Sequence, residues 1–199
     1  RLVGSEMCIR DSSWGGACTL MALAHKPRRI ERAVVSSFSP VINEPMRDYL
    51  ERGSKYLSDC DRYEVGNLVN DTIGKYLPPL FKRFNYRHVS SLDTHEYAQM
   101  HFHIHQVLDH DLEKALSAAQ AIDIPVLFIN GEWDEYTTIA DARQFSRHVR
   151  NSHFSEIRSA GHFLDMENKS ACRDTRAALL GFLKPQREQR TRYQHVQGQ

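Results

Sequence analysis

Ile124-Pro125-Val126-Leu127-Phe128-Ile129-Asn130, closed by Gly131, is the stretch on which the fold turns. A near-continuous apolar run of this length marks a parallel strand buried on both faces. Downstream, Thr138 can cap a helix through about residue 149, with Ala140, Ala142, Phe145 and Val149 spaced for one face. His153-Phe154-Ser155-Glu156-Ile157-Arg158 alternates as a further strand, and Ala160-Gly161 turns the chain. A helix over about 166–183 then stops at Lys184-Pro185. Upstream, Ala33-Val34-Val35-Ser36-Ser37-Phe38 reads as a buried strand ended by Ser39-Pro40, and residues 17–24 as a small-residue helix stopped by Lys26-Pro27.

Residues 42–121 contain no comparable strand. Their periodicity is helical, as at Met46, Tyr49 and Leu50 and at Val107, Leu108, Leu112 and Leu116, with breaks at Gly53, Gly74 and Pro78-Pro79. The stretch is too long for a loop and too helical for the sheet, so a helical lid is expected. Strands alternating with helices specify an α/β fold with a mostly parallel sheet. Three clear strands and a stub before Ser13 are too few for such a sheet, so its N-terminal strands are expected to be missing. Residues 1–11 (RLVGSEMCIRD) show no strand alternation and do not begin with Met. They are expected to be a non-native leader, with one domain over 12–185 and a polar, disordered tail over 186–199.

Composition narrows the function classes. A chain of 199 residues, 41% hydrophobic and 26% charged, supports one ordinary globular core. A formal charge of +1 supplies no global field for nucleic acid or an anionic membrane. No apolar run approaches the roughly 18 residues of a membrane span, and no secretory signal is recognisable. Cys8, Cys18, Cys60 and Cys172 lack metal or disulfide spacing and read as free thiols in a reducing cytoplasm.

Three sites carry chemistry. Ser13, in Ser12-Ser13-Trp14-Gly15-Gly16, sits between the stub and the first helix. A nucleophile on such a sharp turn needs small neighbours two residues away on each side; Gly15 satisfies this, whereas Asp11 departs from it. Alone, the segment serves equally well as a helix cap. Asp134, in Gly131-Glu132-Trp133-Asp134-Glu135, follows one strand, and His162, in Ser159-Ala160-Gly161-His162-Phe163, follows another. Loops at the carboxyl ends of parallel strands are where such sheets place catalysis, and the order Ser, Asp, His is that of α/β-hydrolases. Ser13 therefore reads as nucleophile, His162 as base, Asp134 as its orienting acid, and the Trp14 N–H as an oxyanion donor. Glu132, Glu135 and Asp165 are competing carboxylates, with Asp165 read as a first-turn helix acid. In His101-Phe102-His103-Ile104-His105 only the outer histidines share a helical face and no carboxylate spacing follows, so packing or solvation is expected and no metal. Arg28, Arg29 and Arg32, and Lys82, Arg83 and Arg87, are basic clusters that serve as solvated faces or dock an acidic partner.

Residues 33–50 (AVVSSFSPVINEPMRDYL), 67–78 (NLVNDTIGKYLP) and 161–169 (GHFLDMENK) closely resemble the (R)-3-hydroxyacyl-acyl-carrier-protein:CoA transacylase family of pseudomonads. The likeness covers nearly everything from Ser13 to about Pro185. A paralogous family, which joins two 3-hydroxyacyl units into a rhamnolipid precursor, shares Ser-Trp-Gly-Gly, Trp-Asp-Glu-Tyr-Thr-Thr and Gly-His-Phe-Leu-Asp; the lid segments favour the transacylases. The resemblance implies an α/β-hydrolase fold with a helical lid and transfer of a 3-hydroxyacyl group from acyl carrier protein to CoA, or to water, feeding polyhydroxyalkanoate synthesis. It implies no cofactor beyond CoA as acceptor substrate. It also implies a second His–Asp pair, His88 and Asp93, similar to the base and orienter of glycerolipid acyltransferases, with a structural lid role as the alternative. The family's N-terminal strands and an Asn-Gly loop supplying the second oxyanion donor have no counterpart here, so an inactive truncated fragment is the competing reading. Tyr76, Leu77, Leu80, Phe81 and Phe84 are candidates to line an acyl tunnel or to form lid core.

Overall fold

The computed structural model describes residues 7–109 and 117–183. Four strands, β1 (Met7–Ser12), β2 (Ile30–Ser36), β3 (Val126–Gly131) and β4 (Ser152–Ile157), form one parallel sheet in the order β1-β2-β3-β4. Every residue of β3 is buried, as its continuous apolar run requires. The alternation of side chains along the strands feeds two cores. Val35, Val126 and Phe128 pack on one face with Leu20 and Leu23 of helix α1 (Trp14–Ala24), Phe145 and Val149. Val34, Leu127 and Ile129 pack on the other with Leu164, Ala171 and the apolar stripe of helix α7 (Lys169–Leu183). Each such side chain contributes about 1.5–3 kcal/mol on burial.

Between β2 and β3 the chain leaves the sheet for four helices, α2 (Glu44–Ser58), α3 (Arg62–Asp71), α4 (Pro79–Ser91) and α5 (Thr94–Asp109). Asn43 caps α2 through the Met46 N–H, and Asp61 caps α3 through the Glu64 N–H. The insertion owns a separate small core of Leu57, Val65, Val89 and Tyr97, and the Tyr97 hydroxyl donates to the Val89 carbonyl at 3.0 Å. It is thus a self-supporting helical layer beside the sheet.

Four expectations differ from the structure. Residues 7–11, set aside with the leader, form together with Ser12 a strand, with Ile9 opposite Ala33 and Asp11 opposite Val35. Backbone pairing to β2 defines it, which apolar alternation cannot reveal. The helix expected over 138–149 is a single turn, α6 (Ile139–Ala142), continued as a 3₁₀ segment Arg143–Arg147. The tighter winding leaves Ala142, Phe145 and Val149 all fully buried. The last helix begins at Lys169 rather than 166, because Asn168 accepts the Ala171 N–H and Leu164–Met166 is a separate 3₁₀ turn. Asp165 lies in that turn and pairs with Arg10 at 3.2 Å, so it is not a first-turn acid of α7. The tail expected over 186–199, Leu112 and Leu116 lie outside the described residues. Among the described residues no helix is long and apolar enough to cross a membrane.

Candidate active site

The carboxyl ends of β1, β3 and β4 lie along one edge of the parallel sheet, and each is followed by one of the three singled-out residues. Ser13 joins β1 to α1 with φ 51° and ψ −126°, a conformation an L-residue adopts only under constraint. The constraint is visible: its N–H donates to the Ser36 carbonyl at 2.8 Å and its carbonyl accepts the Gly16 N–H at 2.9 Å. Gly16 allows a close approach to β2, since a Cβ there would lie 2.7 Å from Val35 Cγ1, whereas a Cβ on Gly15 would require the Asp11 carboxylate to move aside. Asp11, the departure from a small residue, is accommodated by accepting the Ser12 N–H at 2.9 Å.

The structure brings Ser13, His162 and Asp134 into one chain of contacts. His162 Nε2 lies 3.1 Å from Ser13 Oγ, and His162 Nδ1 lies 2.9 Å from Asp134 Oδ2. Asp134 is 3% and His162 5% exposed. Burial pushes the Asp134 carboxyl up, but hydrogen bonds from His162 and Thr137 and the nearby imidazole outweigh it, so the group lies below the ordinary carboxylate value. Its Oδ1 accepts the N–H groups of Tyr136 and Thr137 at 3.0 and 3.1 Å, and its Oδ2 accepts the Thr137 hydroxyl at 2.5 Å. The acid and base loops are stitched together by Trp133 N–H to Ala160 O at 2.8 Å and Glu132 N–H to Ile157 O at 2.9 Å. A Cβ on Gly131 would collide with the carbonyls of Ala160 and Gly161, so only glycine lets the loops meet.

Two supports had no signal in the sequence reading. Glu167, buried beneath the base loop, accepts the Gly161 N–H at 2.5 Å and the Phe163 N–H at 3.0 Å, gripping the backbone on both sides of His162. Burial pushes its carboxyl up, partly offset by these two amides. Ser37, with φ 49°, donates its hydroxyl to the His162 carbonyl at 2.5 Å. Both act on backbone groups, so nothing local in the sequence marks either residue.

The competing carboxylates are engaged elsewhere. Glu132 accepts the Ser159 N–H, and Glu135 pairs with Lys75 at 2.7 Å. His88 and Asp93 are not brought to Ser13. His88 is exposed on α4, and Asp93 forms a reciprocal cap with Glu96 at the start of α5. His101 and His105 face each other at 3.3 Å, with Ser54 Oγ 3.0 Å from His105, while His103 points elsewhere. No cluster suited to a metal occurs among the described residues. Arg32 of the first basic cluster is committed to the Phe182 carbonyl at 2.9 Å.

A cavity of about 250 Å³ opens from Ser13 and Trp14. Its walls are apolar side chains of α2 and α5, among them Met46, Leu50, Met100, Ile104 and Val107. The expected tunnel residues do not line it. Leu80, Phe81 and Phe84 are exposed on α4, Leu77 is buried elsewhere, and Tyr76 meets Trp133 in a tilted ring contact at 5.1 Å. Across Ser13 lies a second, more polar depression of about 400 Å³, bordered by Arg10, Ser12, Ser36, Phe163 and Asp165. The Trp14 N–H, at the first position of α1, belongs to the helix amides without an intrahelical acceptor and lies next to the Ser13 hydroxyl in sequence.

A parallel sheet with a strained serine at a strand-to-helix turn, and an aspartate and a histidine at later strand ends, is the arrangement of the α/β-hydrolase fold. The chain belongs to the alpha/beta hydrolase fold family, matching it over residues 12–169. It is 77% identical over 193 residues to the (R)-3-hydroxydecanoyl-ACP:CoA transacylase of Ectopseudomonas oleovorans, covering 96% of this chain and 65% of that protein. It is 76% identical over 190 residues to the protein of the same name from Pseudomonas putida, covering 95% of this chain and 64% of that one. The chain therefore spans just under two thirds of the length of these curated relatives. The likeness drawn from residues 33–50, 67–78 and 161–169 agrees with these matches. Among solved structures, an α/β hydrolase from a Medee basin deep-sea metagenome library shares the fold with a TM-score of 0.69 at 21% identity, covering 91% of this chain and 66% of that one. A hydrolase from Oleispira antarctica does so with a TM-score of 0.72 at 18% identity, over the same shares of the two chains.

Proposed function

We propose that this chain carries the catalytic residues of an acyltransferase that moves a 3-hydroxyacyl group from acyl carrier protein to CoA through a serine ester. The observation that carries the reading is the Ser13–His162–Asp134 chain, at 3.1 and 2.9 Å, set at the floor of an apolar cavity. The names of the relatives at 77% and 76% identity supply the substrate class.

Ser13 Oγ attacks the thioester carbonyl carbon while His162 Nε2 takes its proton; Asp134 holds the ring by Nδ1 and stabilises the imidazolium. The carbonyl oxygen gains negative charge opposite the Trp14 N–H. Collapse breaks the carbon–sulfur bond, and His162 returns the proton to the departing carrier thiol. The CoA thiol then gives its proton to His162 and attacks the serine ester; the carbon–oxygen bond breaks, His162 returns the proton to Ser13 Oγ, and acyl-CoA is released. The acyl chain occupies the apolar cavity, and the pantetheine arm approaches from the polar depression. No cofactor is required beyond CoA as substrate, and His88 and Asp93 take a structural role in the insertion. The exposed thiols Cys18, Cys60 and Cys172 support a reducing, cytoplasmic setting.

In full-length protein, Ser13→Ala is expected to lower acyl transfer by at least ~10³-fold with an unchanged unfolding transition. Release of carrier thiol with and without CoA separates transfer from hydrolysis. Thioester turnover within tenfold of wild type would reject Ser13 as nucleophile.

A further inference from the structure

Seven hydrogen-bonding side chains border the otherwise apolar cavity above Ser13, and four of them are committed. Ser13 faces His162 Nε2, Ser37 donates to the His162 carbonyl, Ser39 donates to the Val41 carbonyl and Thr137 donates to Asp134. Of the other three, Trp14 is exposed, whereas Tyr49 on α2 and His103 on α5 lie one on each of the helices that wall the cavity. Neither makes a hydrogen bond among the described residues. Tyr49 is half-buried, and a chain that fills the cavity covers its phenol with apolar surface, which is costly unless the chain supplies a hydrogen-bond partner.

The position of Tyr49 narrows what that ligand group is. Its ring meets Tyr136 edge-on at 6.1 Å, and the Tyr136 N–H holds Asp134 Oδ1. Tyr49 is thereby packed against the acid loop, at the triad end of the cavity rather than at its far end. A polar group reaching it belongs to the first few carbons of a chain esterified to Ser13. Burial pushes the phenol up to about 12, so it remains a neutral hydrogen-bond donor throughout the physiological range.

Resting on the acyl-transfer reading, we propose that Tyr49 is a specificity-determining residue that hydrogen-bonds the 3-hydroxyl of the acyl chain, with His103 as a weaker partner from the opposite wall. The selectivity follows from differential cost. A hydroxylated chain satisfies the phenol, whereas a plain acyl chain buries it unpaired.

The test compares 3-hydroxydecanoyl and decanoyl thioesters in full-length wild-type, Tyr49→Phe and Ser13→Ala proteins. Wild type is expected to favour the hydroxylated substrate at least ~10-fold in kcat/KM. In Tyr49→Phe the loss on the hydroxylated substrate is expected to exceed that on decanoyl by about tenfold or more. Calorimetric binding of 3-hydroxydecanoate and decanoate to Ser13→Ala and to the Ser13→Ala, Tyr49→Phe double variant provides a readout independent of turnover, and thermal unfolding checks the fold. Equal losses on both substrates would overturn the inference, since they indicate a general role such as oxyanion stabilisation. Retained preference in Tyr49→Phe would overturn it as well, while leaving the acyl-transfer reading intact. A wild-type enzyme inactive on both thioesters, and no different from Ser13→Ala, would overturn the acyl-transfer reading and this inference with it.

Discussion

Asp134 and Glu167 are both buried carboxylates beside His162, yet their surroundings drive them apart. Asp134 receives three donors besides the imidazole, and these outweigh its burial; Glu167 receives two, and burial prevails. A carboxyl lowered on folding contributes stability that is fully present above its unfolded value of about 3.8 and is lost as the pH falls through the folded value. Asp134→Asn is therefore expected to be less stable than wild type at pH 7, with the gap closing below about pH 4. Urea midpoints across that range check this, and a pH-independent gap would refute it. The same variant is expected to lose about 10⁴-fold in kcat, because an amide orients the wrong tautomer. Glu167→Gln keeps one acceptor and aims an NH₂ at a backbone N–H, leaving that amide unpaired at about 1–3 kcal/mol. We expect a lower Tm and a kcat reduced about tenfold at nearly unchanged KM, since His162 is loosened and the cavity is untouched. Full retention of both Tm and kcat would show that Glu167 does not position the base. At this scale the meeting of Ser13, His162 and Asp134 was legible because three strand-end loops present Ser, Asp and His in order. Glu167 and Ser37 were not, since their partners are backbone groups that no residue pattern announces.

β3 and α5 show where pattern reading succeeds and where it stops. The run from Val126 to Gly131 can bury six consecutive residues only as an interior strand, and that identity is intrinsic to its composition. β1 was not legible, because Arg10 and Asp11 break its apolar alternation and its identity comes from pairing with β2. The insertion was legible as helices but not as walls. Periodicity gives each helix an apolar face without saying which faces meet, so α4 was expected at the tunnel that α2 and α5 enclose. Met46→Trp on α2 places a larger ring in that cavity. It is expected to reduce turnover of a ten-carbon thioester at least ~10-fold more than that of a four-carbon one. The matching substitution Phe84→Trp, on the exposed face of α4, is expected to leave that ratio unchanged. A length preference that follows position 84 instead of 46 would show that the chain binds along α4.

Taken as one body, the molecule is a twisted parallel sheet with a core on each face and its three catalytic candidates on a single edge. Among the described residues β1 pairs only with β2, so its other edge offers unpaired N–H and C=O groups. The central claim, however, is that the strained serine at the β1–α1 turn carries the acyl group. Rapid mixing of full-length protein with a 3-hydroxydecanoyl thioester, acid quenching and peptide mass spectrometry measures this directly. The account predicts a 3-hydroxydecanoyl ester on the peptide containing Ser13, absent in Ser13→Ala and discharged by CoA. Undiminished transfer with that peptide unmodified, or the acyl group on another residue, would contradict it.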